Sequence, residues 1–452
     1  MRVLLAQQGP YVPAHDGANK ANRFLMEGLV RRGHACMAVL PVSPPTHPRT
    51  LAQLHAVVLR AGATAVRELS SSLHYTLNGV VARAFAPTAG APDRRNLFLR
   101  DALLQSVSEF QPDVILSSCS DSGGTLLRAA LDTRIPVVHV ARCTAMLGVG
   151  PGSFSQDWEM DSLLRRTHRI IANSRYLQSY LQKWAGVRSE VLDLPTYGNP
   201  PFVADRYDTA RYITMINPCL VKGLPIFLEV VRRCRDLPFA AVATWGITAD
   251  DRRTLEREPN VTILPPRDDV YELLRQTRIL LVPSLWQEAF GRVVVEALLV
   301  GVPVLASDVG GLAEAKLGVP PHPIPVRPIE RYGSLFDERG VPSVDAPAQD
   351  IDPWIAALRP LVSDRGVYEE VSSGSHIAAT SYVKSLSIEK AEAILLSSLE
   401  AKGGEAGEGE ERLHDRLVRL NPMQRQQLLR RLAGAPKGAQ RGQPVPGSES
   451  EQ

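Results

Sequence analysis

Short apolar runs alternate with stretches of helical periodicity along most of this chain. The first run, residues 2–6, is followed by a loop rich in glycine and proline, and then by apolar residues three or four positions apart, such as Ala21 and Leu25. This spacing predicts a buried strand and then a helix that ends near Gly33. A second apolar run, residues 36–40, predicts another strand. Strands that alternate with helices are typical of a parallel sheet covered by helices.

A break rich in proline and glycine at residues 194–201 divides this alternation into two series. Such a composition is typical of a segment that connects domains. The sequence therefore predicts an α/β fold of two Rossmann-like, doubly wound domains, residues 1–195 and residues 196–385. The predicted strands of the first domain are residues 2–6, 36–40, 114–116, 137–140 and 169–172, and those of the second are residues 213–216, 239–244, 261–264, 279–282 and 304–306.

One segment of the first domain departs from the alternation. Residues 42–95 show no regular period, and we predict that they form an irregular insertion. Within it, Asn78 and Gly79 stand between two apolar runs, which is a strong signal for a β-hairpin.

The composition changes again near the carboxyl end. Residues 403–409 contain only Gly, Glu and Ala, and the last residues are rich in Pro, Gly, Gln and Ser. We therefore predict a flexible tail over residues 403–452, with one capped helix near residues 421–433. The helix resembles short segments found beside carrier or condensation domains of modular synthases, which implies docking to a partner protein. In the alternative interpretation, it is an amphipathic, basic helix that lies on the protein itself or on an anionic membrane surface.

The overall composition of the 452-residue chain excludes several classes of protein. Hydrophobic residues make up 44%, enough for large cores, and the net charge of +3 does not indicate a nucleic-acid-binding surface. The five cysteines are scattered without metal-ligand spacing, which argues against a zinc site and a disulfide framework. The most apolar stretch, residues 289–306, carries Arg292 and Glu296, which argues against a membrane span. We expect a cytoplasmic protein, either free or peripheral to the inner face of the membrane.

The most informative segment, residues 283–296, follows a predicted strand and is expected to open a helix. The backbone N–H groups of Ala289, Phe290 and Gly291 would then stand unpaired at the helix amino terminus. Such a terminus binds anions, because its N–H groups and the helix dipole both favour negative charge. The segment therefore predicts a diphosphate site.

Two glutamates of the same segment, Glu288 and Glu296, are eight positions apart and are expected to border one groove. Their carboxylates suit hydrogen bonds from the hydroxyl groups of a sugar and of a ribose. In the alternative interpretation, Glu288 only caps the helix and Glu296 pairs with Arg292 four residues earlier.

With these residues the chain resembles the retaining glycosyltransferases of family 4, which have the GT-B fold, over roughly residues 1–400. The resemblance implies that Glu288 contacts the donor sugar, that Glu296 binds the ribose, and that Gly310 and Gly311 form the glycine turn beside the donor. It also implies that the two domains face each other across a cleft. The donor would lie mainly on the second domain and the acceptor on the first. A helix within residues 386–402 would return to the first domain.

Two further positions on the donor side differ from the family pattern. Family members usually place an arginine and a lysine five positions apart on the diphosphate, and here Lys222 is present while Asn217 replaces the arginine. Lys20 or Arg292 could supply the missing charge. Gly17 stands where the family has a Gly-Gly loop, although a single glycine also fits an ordinary turn.

The remaining candidates concern the nucleobase and the acceptor. Arg267 follows a predicted strand, where it would stack on the base or face solvent. Arg142 stands where related enzymes often carry a histidine, and it would stabilise the leaving diphosphate, hold an anionic acceptor, or simply pair with a carboxylate. His139 lies three residues earlier, either as a core histidine or as an acceptor contact. Lys20, His139 and Arg142 are thus the acceptor candidates.

The resemblance implies a retaining transferase that moves a hexosyl group from a nucleotide-diphosphate sugar, of UDP or GDP type, to the hydroxyl of a sugar or natural-product intermediate. Glu288, Arg142 and Lys222 would be its catalytic residues. No cofactor and no metal are expected, because Asp350 and Asp352 follow no strand and are better placed to cap a helix. The alternative is a non-catalytic sugar-nucleotide-binding partner of a biosynthetic complex.

Overall fold

The computed structural model describes residues 1–12, 14, 17–42, 50–86, 97–118, 121–157, 159–202, 206–267, 269–337 and 341–400. Their strands form two sheets, one of nine strands and one of five. The predicted tail, residues 403–452 with its helix near residues 421–433, lies outside the described residues. Among the described helices, none has the length and apolar character that crossing a membrane requires.

The first sheet comes from the amino-terminal part of the chain. Its strands are β1 (Arg2–Ala6), β2 (Ala35–Pro41), β3 (Thr64–Glu68), β4 (Ser72–Leu77), β5 (Val80–Phe85), β6 (Val114–Ser118), β7 (Val137–Ala141), β8 (Arg169–Ala172) and β9 (Glu190–Val191). They lie in the order β3-β4-β5-β2-β1-β6-β7-β8-β9, in which only β4 runs antiparallel to its neighbours. The accompanying helices are α1 (Gly17–Arg31), α2 (Leu51–Arg60), α3 (Leu97–Phe110), α4 (Thr125–Asp132), α5 (Met160–Arg165) and α6 (Arg175–Ala185).

The central strands of this sheet are covered on both faces. Alternate residues of β1 and β6 enter two different apolar clusters, one shared with Leu25 and Leu29 of α1 and the other with Leu103 of α3 and Leu127 of α4. A strand buried on both faces needs apolar residues at nearly every position. This is why the sequence shows these strands as continuous apolar runs.

The prediction that residues 42–95 form an irregular insertion is wrong for the part that the structure describes. This part contains α2 and three strands, and β5 pairs in parallel with β2 as a member of the main sheet. The predicted hairpin is confirmed, with Asn78 and Gly79 at positive φ in the turn between β4 and β5. These strands lie toward the sheet edge and bury mainly one face, so polar residues such as Arg83 interrupt their apolar pattern.

The second sheet is parallel throughout and comes from the following part of the chain. Its strands are β10 (Tyr212–Ile216), β11 (Phe239–Val242), β12 (Val261–Leu264), β13 (Thr277–Val282) and β14 (Val304–Ala306), in the order β12-β11-β10-β13-β14. The helices are α7 (Arg206–Thr209), α8 (Leu224–Arg233), α9 (Ala249–Glu256), α10 (Val270–Leu274), α11 (Arg292–Leu299), α12 (Leu312–Ala315), α13 (Asp352–Ser363) and α14 (Arg365–Ser385). Between α12 and α13, residues 316–351 form no regular helix or strand in their described part.

The last described helix, α15 (Ile388–Glu400), packs on the first sheet. Ala391 and Leu395 are buried in the apolar cluster that also contains the inner face of α1. At the rim of this contact, the Arg32 guanidinium pairs with Glu389 and Glu392 at 2.7 and 2.6 Å. The helix therefore closes one face of the first sheet after the chain has completed the second.

Candidate active site

The loop that follows β13, residues 283–291, lies where elements of the first and second sheets meet. The Thr144 hydroxyl donates a hydrogen bond to the Gln287 carbonyl at 2.6 Å, and the Tyr176 hydroxyl donates to the Gln287 side-chain oxygen at 2.7 Å. The Ser174 hydroxyl, at the start of α6, donates to the Ala289 carbonyl. The carboxyl ends of parallel strands are where α/β sheets bind ligands. The loop stands at the carboxyl end of β13, and its three contacts join this edge of the second sheet to the first domain.

Lys222 and Glu288 form an ion pair in this loop region. The Lys222 ammonium lies 2.5 Å from Glu288 Oε1, and the Ser284 hydroxyl donates to the same oxygen at 2.7 Å. The ammonium also lies 4.0 Å from the centre of the Trp286 ring, within cation–π range. Both side chains are largely buried. The structure thus joins two of the three predicted catalytic residues.

The predicted glycine turn holds the backbone of Glu288. The Gly311 N–H donates to the Glu288 carbonyl at 2.7 Å. Gly310 has a φ of 62°, and a Cβ there would overlap the Glu288 backbone. Only glycine satisfies both the left-handed backbone and this close approach. The turn therefore fixes the position from which the Glu288 side chain extends.

The predicted start of the neighbouring helix is wrong. Helix α11 begins at Arg292, with Gly291 as its cap at a φ of 102°, so Ala289, Phe290 and Gly291 precede the helix. The reason is that Phe290 is buried in the apolar cluster of the second sheet while the Ala289 carbonyl is held by Ser174. These two anchors hold the loop outside the helix, and the left-handed Gly291 then leads the chain into α11.

Glu296 pairs with Arg292 at 3.2 Å, four residues away on α11, so the ion pair of the alternative interpretation is present. Arg292 reaches further. Its guanidinium donates to the carbonyls of Gly17 at 3.4 Å and of Thr196 at 3.5 Å, and it lies 5.1 Å from the centre of the Tyr197 ring. Glu296 is thus placed by a guanidinium that also contacts the first residue of α1.

The other donor-side candidates differ in how they are held. Asn217 is buried at a φ of 60°, and its Oδ1 accepts the Gly246 N–H at 2.8 Å, so it joins the loops after β10 and β11 and brings no charge. Arg267 is exposed after the edge strand β12, with its guanidinium 3.7 Å from Glu272. Lys20 is exposed on α1.

The acceptor candidates of the first sheet lie in a buried polar region at the ends of β1, β6 and β7. His139 Nδ1 is 3.3 Å from the Ser117 hydroxyl, and burial lowers the pKa of His139 to about 4, so its ring is neutral near pH 7. The Arg142 guanidinium donates to Asn22 Oδ1 at 3.3 Å, and the Asn22 amide donates to the Ser118 hydroxyl at 3.0 Å. The Arg142 guanidinium is therefore a permanent positive charge within this buried region.

Asp121 is a member of this region that the sequence analysis missed. Its carboxylate accepts the N–H groups of Leu126 at 3.0 Å and Leu127 at 2.7 Å, and a hydrogen bond from Gln8 at 2.6 Å. Burial raises its pKa to about 6, against the effect of these hydrogen bonds. An aspartate just before a Ser-Gly-Gly-Thr turn is a helix-cap signal, which could have identified it.

The sequence analysis also missed an aromatic cluster beside the Lys222–Glu288 pair. Phe154, which precedes α5, lies 5.6 Å from the Trp286 ring and 5.0 Å from the Tyr332 ring. Trp245 lies 6.1 Å from Trp286. Tyr332 stands in residues 316–351, where no periodic pattern distinguishes it, so no sequence signal identifies it.

Among the residues that the structure describes, no group of three or more His, Cys, Asp or Glu side chains is arranged to hold a metal ion. The cap position of α13 is Ile351, so neither Asp350 nor Asp352 is the cap residue, although the Asp350 carboxylate accepts the Asp352 N–H at 3.0 Å just before the helix. Metal independence stays a prediction.

Comparison with known families gives two matches, one for each sheet. The model of Glycosyltransferase Family 4 matches residues 15–194, and the model of Glycosyl transferases group 1 matches residues 211–323. The first range contains Gly17, Lys20, His139 and Arg142, and the second contains the donor-side candidates other than Gly17.

Curated relatives match short stretches only. The chain is 34% identical over 95 residues to an uncharacterized 42.6 kDa protein in the cps region of Klebsiella pneumoniae, covering 21% of this chain and 25% of that protein. It is 33% identical over 99 residues to D-inositol 3-phosphate glycosyltransferase of Rhodococcus erythropolis, covering 19% and 22%. The matched stretches therefore span at most 25% of these relatives.

Solved structures match over most of the chain. Anabaena HepE in complex with UDP and glucose is similar with a TM-score of 0.58 at 16% identity, covering 88% of this chain and 99% of that chain. WaaG, a glycosyltransferase involved in lipopolysaccharide biosynthesis, has a TM-score of 0.57 at 14% identity, covering 89% and 100%. The fold is GT-B, with two Rossmann-like domains, and the two family matches support a glycosyltransferase.

Proposed function

We propose that this GT-B protein is a retaining glycosyltransferase. It transfers a hexosyl group from a nucleotide-diphosphate sugar, of UDP or GDP type, to a hydroxyl group of an acceptor. The observation that carries this proposal is the Lys222–Glu288 ion pair, held by the glycine turn of Gly310 and Gly311 at the meeting point of the two sheets. The pair provides one cation for a phosphate and one anion for sugar hydroxyl groups.

On the donor side, each charged group has a matching part of the nucleotide sugar. Lys222 binds the diphosphate, and Arg292 adds the second positive charge that Asn217 does not supply. Glu296 accepts hydrogen bonds from the ribose hydroxyl groups, and its pairing with Arg292 orients the carboxylate. The Anabaena HepE structures that contain UDP or UDP-glucose support a uridine nucleotide within the proposed range.

The transfer step needs one bond to form and one to break. The acceptor oxygen bonds to the anomeric carbon on the face that the leaving group departs from, and the bond from that carbon to the diphosphate oxygen breaks. The electron pair stays on the diphosphate, where Lys222 stabilises it, and the acceptor proton passes to a phosphate oxygen. Glu288, paired with the Lys222 ammonium and hydrogen-bonded by the Ser284 hydroxyl, suits hydroxyl binding better than nucleophilic attack, which supports retention by same-face substitution.

On the acceptor side, the buried polar region of the first sheet is the proposed binding surface. Arg142 provides its positive charge, while His139 is neutral near pH 7 and can donate or accept one hydrogen bond. Lys20 lies on α1, which begins at the residue that Arg292 contacts. This arrangement suits a hydroxyl-bearing acceptor that carries a negative charge.

Two measurements on the full chain test the proposal. A thermal-shift screen with UDP, GDP and their hexose conjugates should give a clear increase in melting temperature with one nucleotide. The best conjugate should then be hydrolysed slowly in the absence of acceptor, and NMR should show the sugar released with its original anomeric configuration. Equal rates with and without EDTA would agree with metal independence. Binding without hydrolysis or transfer would favour the non-catalytic partner instead.

A further inference from the structure

Tyr332 stands in residues 316–351, beyond the residues 211–323 that the family model of the second sheet matches. Backbone hydrogen bonds hold this segment on both sides of Tyr332. The Ile329 N–H donates to the Leu285 carbonyl at 2.8 Å, and the Gly333 N–H donates to the Ser343 carbonyl at 2.7 Å. Ile329 is also buried. Tyr332 is therefore held against the loop that carries Glu288.

The ring of Tyr332 packs where the two sheets meet. Its centre lies 5.0 Å from that of Phe154, in an edge-to-face arrangement, and Phe154 lies 5.6 Å from Trp286. Phe154 belongs to the part of the chain that forms the first sheet, whereas Trp286 and Tyr332 belong to the second. Aromatic pairs in this geometry stabilise the position of each ring. The position of the Tyr332 side chain thus depends on both domains.

Two hydrogen-bond donors in this cluster have no partner. The Tyr332 hydroxyl and the Trp286 Nε1–H are both buried, and neither has a hydrogen-bond partner among the described residues. Burial raises the pKa of Tyr332, and the nearby Cys143 thiol and Glu288 carboxylate raise it further, so the hydroxyl stays protonated. Buried polar groups in proteins are nearly always hydrogen-bonded, so a buried donor without a partner calls for an explanation.

We propose that the Tyr332 hydroxyl donates a hydrogen bond to a hydroxyl group of the transferred sugar, and that Tyr332 is a specificity-determining residue. A sugar hydroxyl donates one hydrogen bond and can accept two. The same sugar hydroxyl can therefore donate to the Glu288 carboxylate and accept a hydrogen bond from the Tyr332 hydroxyl. The Trp286 Nε1–H is a second donor to the same sugar. The preferred donor therefore carries an oxygen at the contacted ring position, and its deoxy analogue at that position is disfavoured. This inference rests on the proposed function.

The test compares Tyr332→Phe with Tyr207→Phe. The control removes a hydroxyl that donates to the Val362 carbonyl at 3.0 Å within the second domain. Each variant is assayed with the best nucleotide sugar and with its series of monodeoxy analogues, and calorimetry gives the affinity for the nucleoside diphosphate alone. Melting temperatures verify that both variants fold.

We expect Tyr332→Phe to lower kcat/KM for the parent sugar about tenfold, the scale of one hydrogen bond. With one deoxy analogue, wild type and Tyr332→Phe should react equally, because the contacted hydroxyl is absent. Affinity for the nucleoside diphosphate should not change, and Tyr207→Phe should discriminate like wild type.

Three outcomes would overturn the inference. Unchanged kcat/KM in Tyr332→Phe would show that the hydroxyl makes no contact. An equal loss with every analogue, or a loss of nucleoside diphosphate affinity, would show that Tyr332 acts on the structure rather than on the sugar. A wild-type chain that neither binds nor hydrolyses any nucleotide sugar would overturn the proposed function as well, which separates the two failures.

Discussion

The position of Glu296 is compatible with two roles, ribose binding and a stabilising ion pair with Arg292. Its pairing with Arg292 is a common helical contact, yet the same guanidinium also contacts the carbonyl of Gly17, so the carboxylate is held beside the first domain. A purely stabilising i,i+4 pair contributes only about 0.3–0.5 kcal/mol. A carboxylate that binds two ribose hydroxyl groups contributes more, and this difference makes the two interpretations separable.

We predict that Glu296→Ala weakens binding of the preferred nucleoside diphosphate by about 1.5–3 kcal/mol, because hydrogen bonds to a charged group have that value. Isothermal titration calorimetry measures the change. The matched control is Glu369→Ala, which removes the partner of Arg365 in an i,i+4 pair of 2.6 Å on α14. If wild type and both variants bind the nucleoside diphosphate with equal affinity, Glu296 does not contact the ribose and only stabilises the helix surface.

Arg142 is one of the residues at which the chain departs from the family pattern. A guanidinium stays charged near neutral pH, so its effect on catalysis is electrostatic or positional. If Arg142 stabilises the leaving diphosphate, Arg142→Ala should lower kcat by roughly 10²–10³, and Arg142→Lys should restore part of the rate. If it holds an anionic acceptor, the acceptor KM should rise while donor hydrolysis by water stays near normal. Steady-state kinetics with and without acceptor distinguish the two roles, and wild-type values in both assays would exclude both.

At the scale of elements, the loop around Glu288 depends on a second loop that approaches its backbone. We predict that Gly310→Ala lowers both stability and kcat/KM, because its Cβ would overlap the Glu288 backbone. Gly318→Ala is the control: its φ of 75° is similar, but a Cβ there would meet nothing within 4 Å, so it should cost only about 1 kcal/mol of backbone strain. Thermal unfolding and donor turnover give the comparison. Equal effects of the two changes would mean that close packing on Glu288 does not matter.

The strands that the sequence predicts are those whose apolar pattern has one dominant cause, burial on both faces of a sheet. Strands such as β6 and β13 are buried on both faces, and their continuous apolar runs follow directly from that burial. Strand β5 could not be recognised as part of the main sheet because it buries chiefly one face and because its pairing with β2 joins residues far apart in sequence. The start of α11 was misplaced for a similar reason. The burial of Phe290 and the Ser174 contact with Ala289 are tertiary effects that local patterns do not contain.

In the candidate site too, some residues are indicated by the sequence, whereas others are brought together only by the folded structure. Lys222 and Glu288, which form an ion pair, are both residues that the resemblance assigns to the donor site. Tyr332 and Phe154 lie 5.0 Å apart across the two halves of the chain, and nothing in the local sequence of either residue indicates the other. Long-range contacts of this kind need the folded structure.

At the scale of the whole molecule, one carboxylate links the two domains through a helix terminus. Glu314 Oε2 accepts the N–H groups of Arg175 at 2.9 Å and Tyr176 at 3.3 Å, the first residues of α6. A negative charge at a helix amino terminus is stabilising by about 0.3–2 kcal/mol, depending on burial. Because Glu314 lies in α12 of the second domain, this interaction holds the second domain against the start of α6 in the first.

We predict that Glu314→Ala raises the donor KM about threefold to tenfold and increases the radius of gyration in solution, because the two domains lose this contact. Small-angle X-ray scattering and steady-state kinetics measure the two effects. Glu256→Ala, on the exposed surface of α9, is the control and should change neither quantity. An unchanged radius of gyration with unchanged kinetics would show that Glu314 does not hold the two domains together.

The return of α15 to the first sheet has a consequence for the synthesis of this protein on the ribosome. Arg32 and Glu392, which pair in the finished fold, are 360 positions apart in the sequence. At a translation rate of about 5–20 residues per second, α1 emerges roughly 20 to 70 s before the helix that covers it. During that interval the apolar face of α1 beside Gly28 has no cover from Ile388, although all strands of the first sheet are made long before Ile388. The amino-terminal domain, first to be translated, is therefore the last to be completed, since this apolar face stays uncovered until α15 has been made.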